Sequence, residues 1–243
     1  MNLCGGYTTY GQDIGILMMD TVFPRIIGDL GNANTFRNHV RYQIVHNVPT
    51  AGITEKNFEK LMLQPFLNAA RNLEKEGCKA ITTSCSFLAG FQRQLAEAVH
   101  IPVFTTPLLI VPMVHAMLNK DLKIGIFTEN AEVLTEEFFQ QIGFSAKDIP
   151  ICVSGMSEDS QFSRLFIGNH IQEDLDILEE CIRDLTRKHM KEYPDTGAII
   201  LECTNFSPFS GIIQEISEVP VFGMNQLLEY INACVNVPNY ISR

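Results

Sequence analysis

The sequence predicts an α/β protein of two doubly wound lobes, each a parallel sheet covered by helices, related by a pseudo-twofold axis. Three observations predict it. Short apolar runs alternate with longer helical periods along the chain, the rhythm of βαβ units. The stretch AITTSCSFLAGFQ around Cys85 recurs as AIILECTNFSPFS around Cys203. Ala80 and Ala198, Cys85 and Cys203, and the prolines of two PVF triplets, Pro102 and Pro220, all stand 118 positions apart. The chain also has 243 residues, enough for two domains of about 120 each.

The elements follow in order. IGILMM (Ile14 to Met19) reads as a buried strand. After a long loop, a helical period runs from about Thr54 to Glu76, divided or kinked at Pro65 and closed by Gly77. Strand AITTSC, helix FLAGFQRQLAEAVH, strand IPVF and a helix over Leu108 to Leu118 complete the first set. The second set opens with KIGIFT, whose IGIF echoes IGIL, and continues with a helix from Ala131 to Ile142 capped by Gly143. Strand IPICVS, a long helix from Ile171 to Tyr193 stopped by Pro194, strand GAIILEC, a helix near Ile212, VPVF and a final helix from Asn225 finish the copy. Alternation of this kind argues for parallel sheets with both faces covered.

Composition narrows the function. A formal net charge of −10 and a pI near 5.0 repel nucleic acid and anionic membranes, which leaves a small molecule as the expected partner. Seven cysteines without a CxxC pair are neither a disulfide framework nor a zinc-finger spacing. The start, MNLCGGYTTYG, lacks the pattern of a secretory signal. PLLIVPMVHAML, the longest apolar run, falls short of the roughly 20 residues that a membrane span needs. A reduced, cytoplasmic protein is the expectation, with a homo-oligomer left open. The six histidines show no ligand spacing, so no metal is expected.

Ligands of parallel sheets bind at the carboxyl ends of strands, and Cys85 and Cys203 each fall where a strand gives way to a helix. A helix N-terminus favours thiolate and offers free N–H groups to a carboxylate. Across an interlobe cleft, two such thiols would exchange an α-proton by a two-base mechanism. Thr83, Ser84 and Ser86 beside the first cysteine, and Thr204 and Asn205 beside the second, could bind a substrate carboxylate. Plain helix capping competes for Thr83, Ser86, Thr204, Asn205 and Thr128. Asp20 and Arg25 follow the first strand and could take an ammonium group and a carboxylate. A turn aspartate and a salt-bridged loop arginine are the competing reading.

With both cysteine motifs, the repeat, and the opening segment IGILMMDTVFPRIIGDLGN, the chain resembles the aspartate/glutamate racemase superfamily, which includes hydantoin racemases. The resemblance implies Rossmann-like, flavodoxin-like lobes and an interlobe active site. It implies Cys85 and Cys203 as the catalytic pair, hydroxyls of Thr83, Ser86 and Thr204 near the substrate carboxylate, and Thr128 at a strand end of the second lobe. It implies no pyridoxal phosphate or other cofactor. The sequence departs from the common pattern at Ser86-Phe87 and Thr204-Asn205. The last helix commonly returns to the first lobe, which gives lobes of 1–104 with 223–243, and of 105–222. The expected activity is racemisation of an aspartate- or glutamate-type acid, an isomerase. The alternatives are a hydantoin racemase, a dicarboxylate isomerase, or a binding protein for small carboxylates.

Overall fold

The computed structural model describes residues 3–46, 48 and 63–241, the side chains of residues 86 and 87 excepted. The described chain divides into two compact units. One holds Met1–Asp20, Phe36–Thr105 and Leu228–Arg243, the other Thr21–Thr35 and Thr106–Leu227.

The first unit contains β1 (Ile14–Met19), β2 (Val40–Val45), α1 (Gln64–Lys75), β3 (Ala80–Thr83), a 3-10 turn (Ser86–Phe91), α2 (Gln92–Glu97) and β4 (Val103–Phe104). All its strand pairs are parallel, in the order β2-β1-β3-β4. Its core gathers Leu17, Phe66, Leu73, Ile81, Cys85 and Leu88. Strand β2 lies inside the stretch read from sequence as loop. Its alternating Val40-Arg41-Tyr42-Gln43 is only partly buried, as befits an edge strand. Most of the expected helix from Thr54 lies outside the described residues. Pro65 stands in the first turn of α1, a position where its missing N–H costs nothing.

The second unit contains α3 (Val111–Met117), β5 (Lys123–Thr128), α4 (Glu136–Ile142), β6 (Ile151–Gly155), α5 (Gln161–Phe166), α6 (Leu175–Glu192), β7 (Thr196–Leu201), a 3-10 turn (Thr204–Phe209), α7 (Ser210–Ser217) and β8 (Val221–Phe222). Helix α8 (Met224–Val235) begins in this unit and ends in the first. The sheet is again all parallel, in the order β6-β5-β7-β8. Its core includes Phe23, Phe127, Phe162, Ile199, Cys203, Phe206 and Phe209. Helix α4 ends at Gly143, whose φ of 108° is left-handed, as the sequence predicts.

The repeated IGI has a packing cause. A Cβ on Gly125 would come within 2.6 Å of His189 Nε2 on α6, and one on Gly15 within 2.8 Å of a Leu73 methyl on α1. In both sheets the absent side chain lets a helix lie close against the first strand.

The expected division placed residues 21–35 in the first lobe, whereas the structure packs them with the second unit. The Phe23 ring meets Phe166 edge-on at 5.0 Å. The Val22 N–H donates to Asn169 Oδ1 at 2.8 Å, and Asn225 Nδ2 donates to the Gly28 carbonyl at 2.8 Å. Gly28, at φ 103°, sits against Pro208 in the turn that follows Cys203; a Cβ there would fall 2.6 Å from the proline Cα. Gly28→Ala is therefore expected to cost about 2 kcal/mol or more and lower Tm. Gly211→Ala, with nothing within 4 Å of the added carbon, should leave Tm unchanged or raise it. Thermal melts of the two variants check this, and equal effects would contradict the close packing.

Candidate functional site

In each sheet the strand order reverses between the first strand and the third, so the ligand-accepting edge lies beyond the carboxyl ends of β1 and β3, and of β5 and β7. The ladders match: Ile14 pairs with Ala80 in one sheet and Ile124 with Ala198 in the other. Carried one and two steps past Leu17↔Thr83 and Phe127↔Leu201, that register is informative. Thr128 stands opposite Glu202 where Met18 stands opposite Ser84. Glu129 then stands opposite Cys203 where Met19 stands opposite Cys85. The scaffold is duplicated, but the carboxylates are on one side.

In the first unit Cys85 is 3% exposed and opens the 3-10 turn Ser86–Phe91 from an extended backbone. Its own N–H donates to Thr83 Oγ1 at 3.0 Å, which uses the buried Thr83 hydroxyl as an acceptor within the turn. The Ser84 N–H donates to the Leu17 carbonyl at 2.9 Å and Ser84 Oγ accepts from the Met19 N–H at 3.4 Å, joining the ends of β1 and β3. Ser86 begins the turn, and its side chain lies outside the described residues. Asp20, beyond β1, pairs with His46, beyond β2, at 2.8 Å, and both are exposed. Arg25 belongs to the second unit. One of its terminal nitrogens meets Asp29 Oδ1 and the other Thr21 Oγ1, each at 2.7 Å, and its guanidinium lies over the Phe23 ring. Both ends of the guanidinium fork are thus engaged within the segment that carries it.

The second unit holds a denser cluster. Cys203 is 3% exposed at the mouth of the turn Thr204–Phe209. Thr128 Oγ1 donates to Glu202 Oε2 at 2.9 Å, with both residues buried. The Glu202 N–H donates to the Phe127 carbonyl at 2.8 Å. One step on, the Glu129 carboxyl group and the Cys203 thiol lie near enough for each to shift the other's protonation. Asn205 Nδ2 reaches Glu129 Oε1 at 3.4 Å. Thr204 is buried inside the turn. Sequence reasoning singled out Thr128, Cys203, Thr204 and Asn205, and the structure brings them together around two residues it passed over, Glu129 and Glu202. Their signal was present: each adjoins a chosen residue at a strand end, in FTEN and LECTN.

The electrostatics correct one expectation. A helix N-terminus was expected to favour thiolate, yet Cys203 opens a 3-10 turn and its thiol is held well above its ordinary range. Burial is the largest cause, followed by the charges of Glu129 and Glu202; the Asn205 backbone N–H opposes them. Burial also pushes Glu129 up to about 7, against the lowering effect of Cys203 and Asn205. It pushes Glu202 up to about 7 as well, with Thr128 opposing and the Glu129 charge reinforcing. No basic side chain figures among the causes for any of the three. Near neutral pH the cluster therefore holds a protonated thiol and two acids of similar strength, which titrate as a coupled pair.

The structure resembles solved enzymes. A glutamate racemase of Bacillus anthracis matches with a TM-score of 0.60 at 15% identity, covering 93% of this chain and 83% of that one. Allantoin racemase from Klebsiella pneumoniae gives 0.61 at 13% identity, covering 91% and 88%, and a Gly74Cys mutant of arylmalonate decarboxylase gives 0.55 at 13%, covering 91% and 92%. The fold is the one that these racemases and the decarboxylase share. No family model matches the sequence. The curated sequence relatives carry a different name. A dimethylsulfoniopropionate lyase of Durusdinium sp. clade D is 26% identical over 86% of this chain, which spans 70% of that protein. Dimethylsulfoniopropionate lyases 7 and 6 of Emiliania huxleyi (strain CCMP1516) are each 26% identical over 86% of the chain, which spans 63% and 56% of their lengths. These relatives overturn the expected amino acid racemase, because their named activity is a lyase and not an isomerase. The relatives and structural neighbours named here are all enzymes. Among the described residues no helix is long and apolar enough to cross a membrane.

Two buried acids on which no cation acts among the described residues have a measurable cost. The folded-state value of Glu202, about 7, lies above the ordinary 4.5, so the folded chain binds more protons than the unfolded chain between those values. The contribution of Glu202 to stability is then greatest below pH 4.5 and falls as pH rises to 7, by at most about 3 kcal/mol. Glu202→Gln should remove that loss: its Tm should exceed the parent's at pH 8, with the gain disappearing near pH 4.5. Melts across this range test it, and an equal Tm difference at both ends would contradict it.

Proposed function

We propose that the chain is a lyase that removes the proton α to a carboxylate and expels a cationic group from the β-carbon, on a substrate of the dimethylsulfoniopropionate class. The observation that carries this reading is the Glu129–Cys203 pair, seated beside Glu202, where among the described residues no basic side chain acts on any of the three. A dianionic acid would be repelled there. A sulfonium group, cationic and without N–H donors, is attracted by the charge of a carboxylate and requires no hydrogen-bond partner.

The chemistry follows from the pair. Glu129, ionised, takes the thiol proton as the Cys203 sulfur takes the α-proton from the substrate. The electrons of the broken C–H bond form the Cα=Cβ double bond, and the Cβ–S bond breaks with its electrons going to sulfur. Dimethyl sulfide and acrylate result, and the proton left on the pair returns to solvent. Departure of a neutral sulfide spares the build-up of charge on the substrate carboxylate. Elimination needs one base where racemisation needs an acid and a base on opposite faces, and Glu129 stands opposite Cys203 at the place that Met19 takes opposite Cys85. Support also comes from the names of the sequence relatives.

Gas chromatography of the headspace over purified protein with dimethylsulfoniopropionate is expected to show dimethyl sulfide, with acrylate in solution in equal amount. Cys203→Ser should lower kcat/KM by about 100-fold or more, because serine is a poor base, whereas Cys85→Ser should stay within about tenfold of the parent. Equal losses would indicate a two-thiol mechanism, and absence of both products would refute the reading. Because Glu129 must be ionised to accept the thiol proton, kcat/KM should rise with pH through about 7. That limb should vanish in Glu129→Gln; its persistence there would assign it to another group.

A further inference from the structure

We infer that Glu202 is a positioning residue for the Glu129–Cys203 pair: bonded to Thr128 across the strand ends, it sets the spacing of the next residue on each strand and sets its carboxylate beside the thiol that follows it. The inference rests on the reading of that pair as the reacting groups.

The geometry consists of two cross-strand contacts in series. Thr128 ends β5 and Glu202 follows the last residue of β7, and they are joined by the 2.9 Å hydrogen bond. The residues immediately after them, Glu129 and Cys203, form the second contact. Strand β5 also pairs with β6, so a parallel neighbour holds it on each side. Glu202 itself is 4% exposed and would be an expensive choice for plain structure, since a buried carboxyl group without a cation destabilises the fold. The first unit shows that the fold does not require it. There Ser84 occupies the equivalent place and joins the strand ends through the Met19 N–H. The charged or titratable groups acting on the Cys203 thiol are Glu129 and Glu202, together with the Asn205 backbone N–H.

The test separates charge from scaffold. Glu202→Gln keeps an oxygen to accept from Thr128 and removes the charge; Thr128→Val removes the donor and keeps the shape. Alkylation of Cys203 by iodoacetamide would be followed against pH by mass spectrometry of its peptide, in the full chain. In Glu202→Gln the onset of alkylation is expected to move down by about one pH unit, or to appear where the parent shows none. In Thr128→Val the carboxylate remains, so the pH dependence should stay with the parent or move up. The same pH dependence in Glu202→Gln and parent, including no alkylation in either, would overturn the inference. Assaying the variants for dimethyl sulfide release keeps the two readings apart. A shifted onset without lyase activity in the parent sinks the proposed function and leaves the charge effect standing. Lyase activity with an unshifted onset sinks the inference alone.

Discussion

The hydrogen bond from Thr128 to Glu202 joins the carboxyl ends of two neighbouring parallel strands, and the candidate chemistry of this protein depends on it. Parallel strands end at the same edge of a sheet, so side chains just past the ladder point into the region where such folds bind ligands. The Glu202 N–H still donates to the Phe127 carbonyl there, and beyond it side chains must hold the edge. A short side-chain bond between buried groups continues the ladder by one step. It leaves Glu129 and Cys203 as the first pair beyond it, each with a carboxyl or thiol group turned to chemistry. Because these groups lie in a poorly hydrated place, their protonation is decided by burial and by one another rather than by solvent.

Duplication supplied the platform and divergence supplied the asymmetry. Both sheets have the same strand order and the same Ile–Ala register, and in both a glycine in the first strand admits a helix at close range. At the functional edge the likeness stops. Cys85 has Met19 and Ser84 at the places where Cys203 has Glu129 and Glu202. A reaction that must run alike from both faces of a carbon is served by matching acids and bases. An elimination is served by one strong base and a leaving group that departs by itself, and the unequal edges fit that demand.

What the sequence revealed and what it hid have physical causes. The doubly wound sheets were legible because buried parallel strands are written as unbroken apolar runs, and Cys85 and Cys203 because they recur at a constant spacing. Strand β2 was hidden by its partial burial: Arg41 and Gln43 interrupt the apolar signal on an edge strand. Helix α5 was hidden by its six residues, too few to display a helical period. Residues 21–35 follow β1 in sequence yet pack on Phe166, Asn169 and Pro208, a tertiary choice that no local pattern records. Glu129 was passed over for a similar reason, since it faces Cys203 from the adjacent strand through the register of β5 and β7. Glu202 adjoins Cys203 in the chain and was legible there.

The central claim is that the bond broken by the Glu129–Cys203 pair is the α C–H bond of a β-sulfonio carboxylate. The most direct measurement is a competition between ordinary dimethylsulfoniopropionate and the same compound carrying deuterium at both α positions, with the isotope ratio of the acrylate read at low conversion. The account predicts that the deuterated substrate is discriminated against several-fold, and that deuterium confined to the β positions produces almost no effect. Equal consumption of the α-deuterated and ordinary substrates, with sulfide still released, would show that the sulfur leaves without α-proton abstraction and would contradict the account.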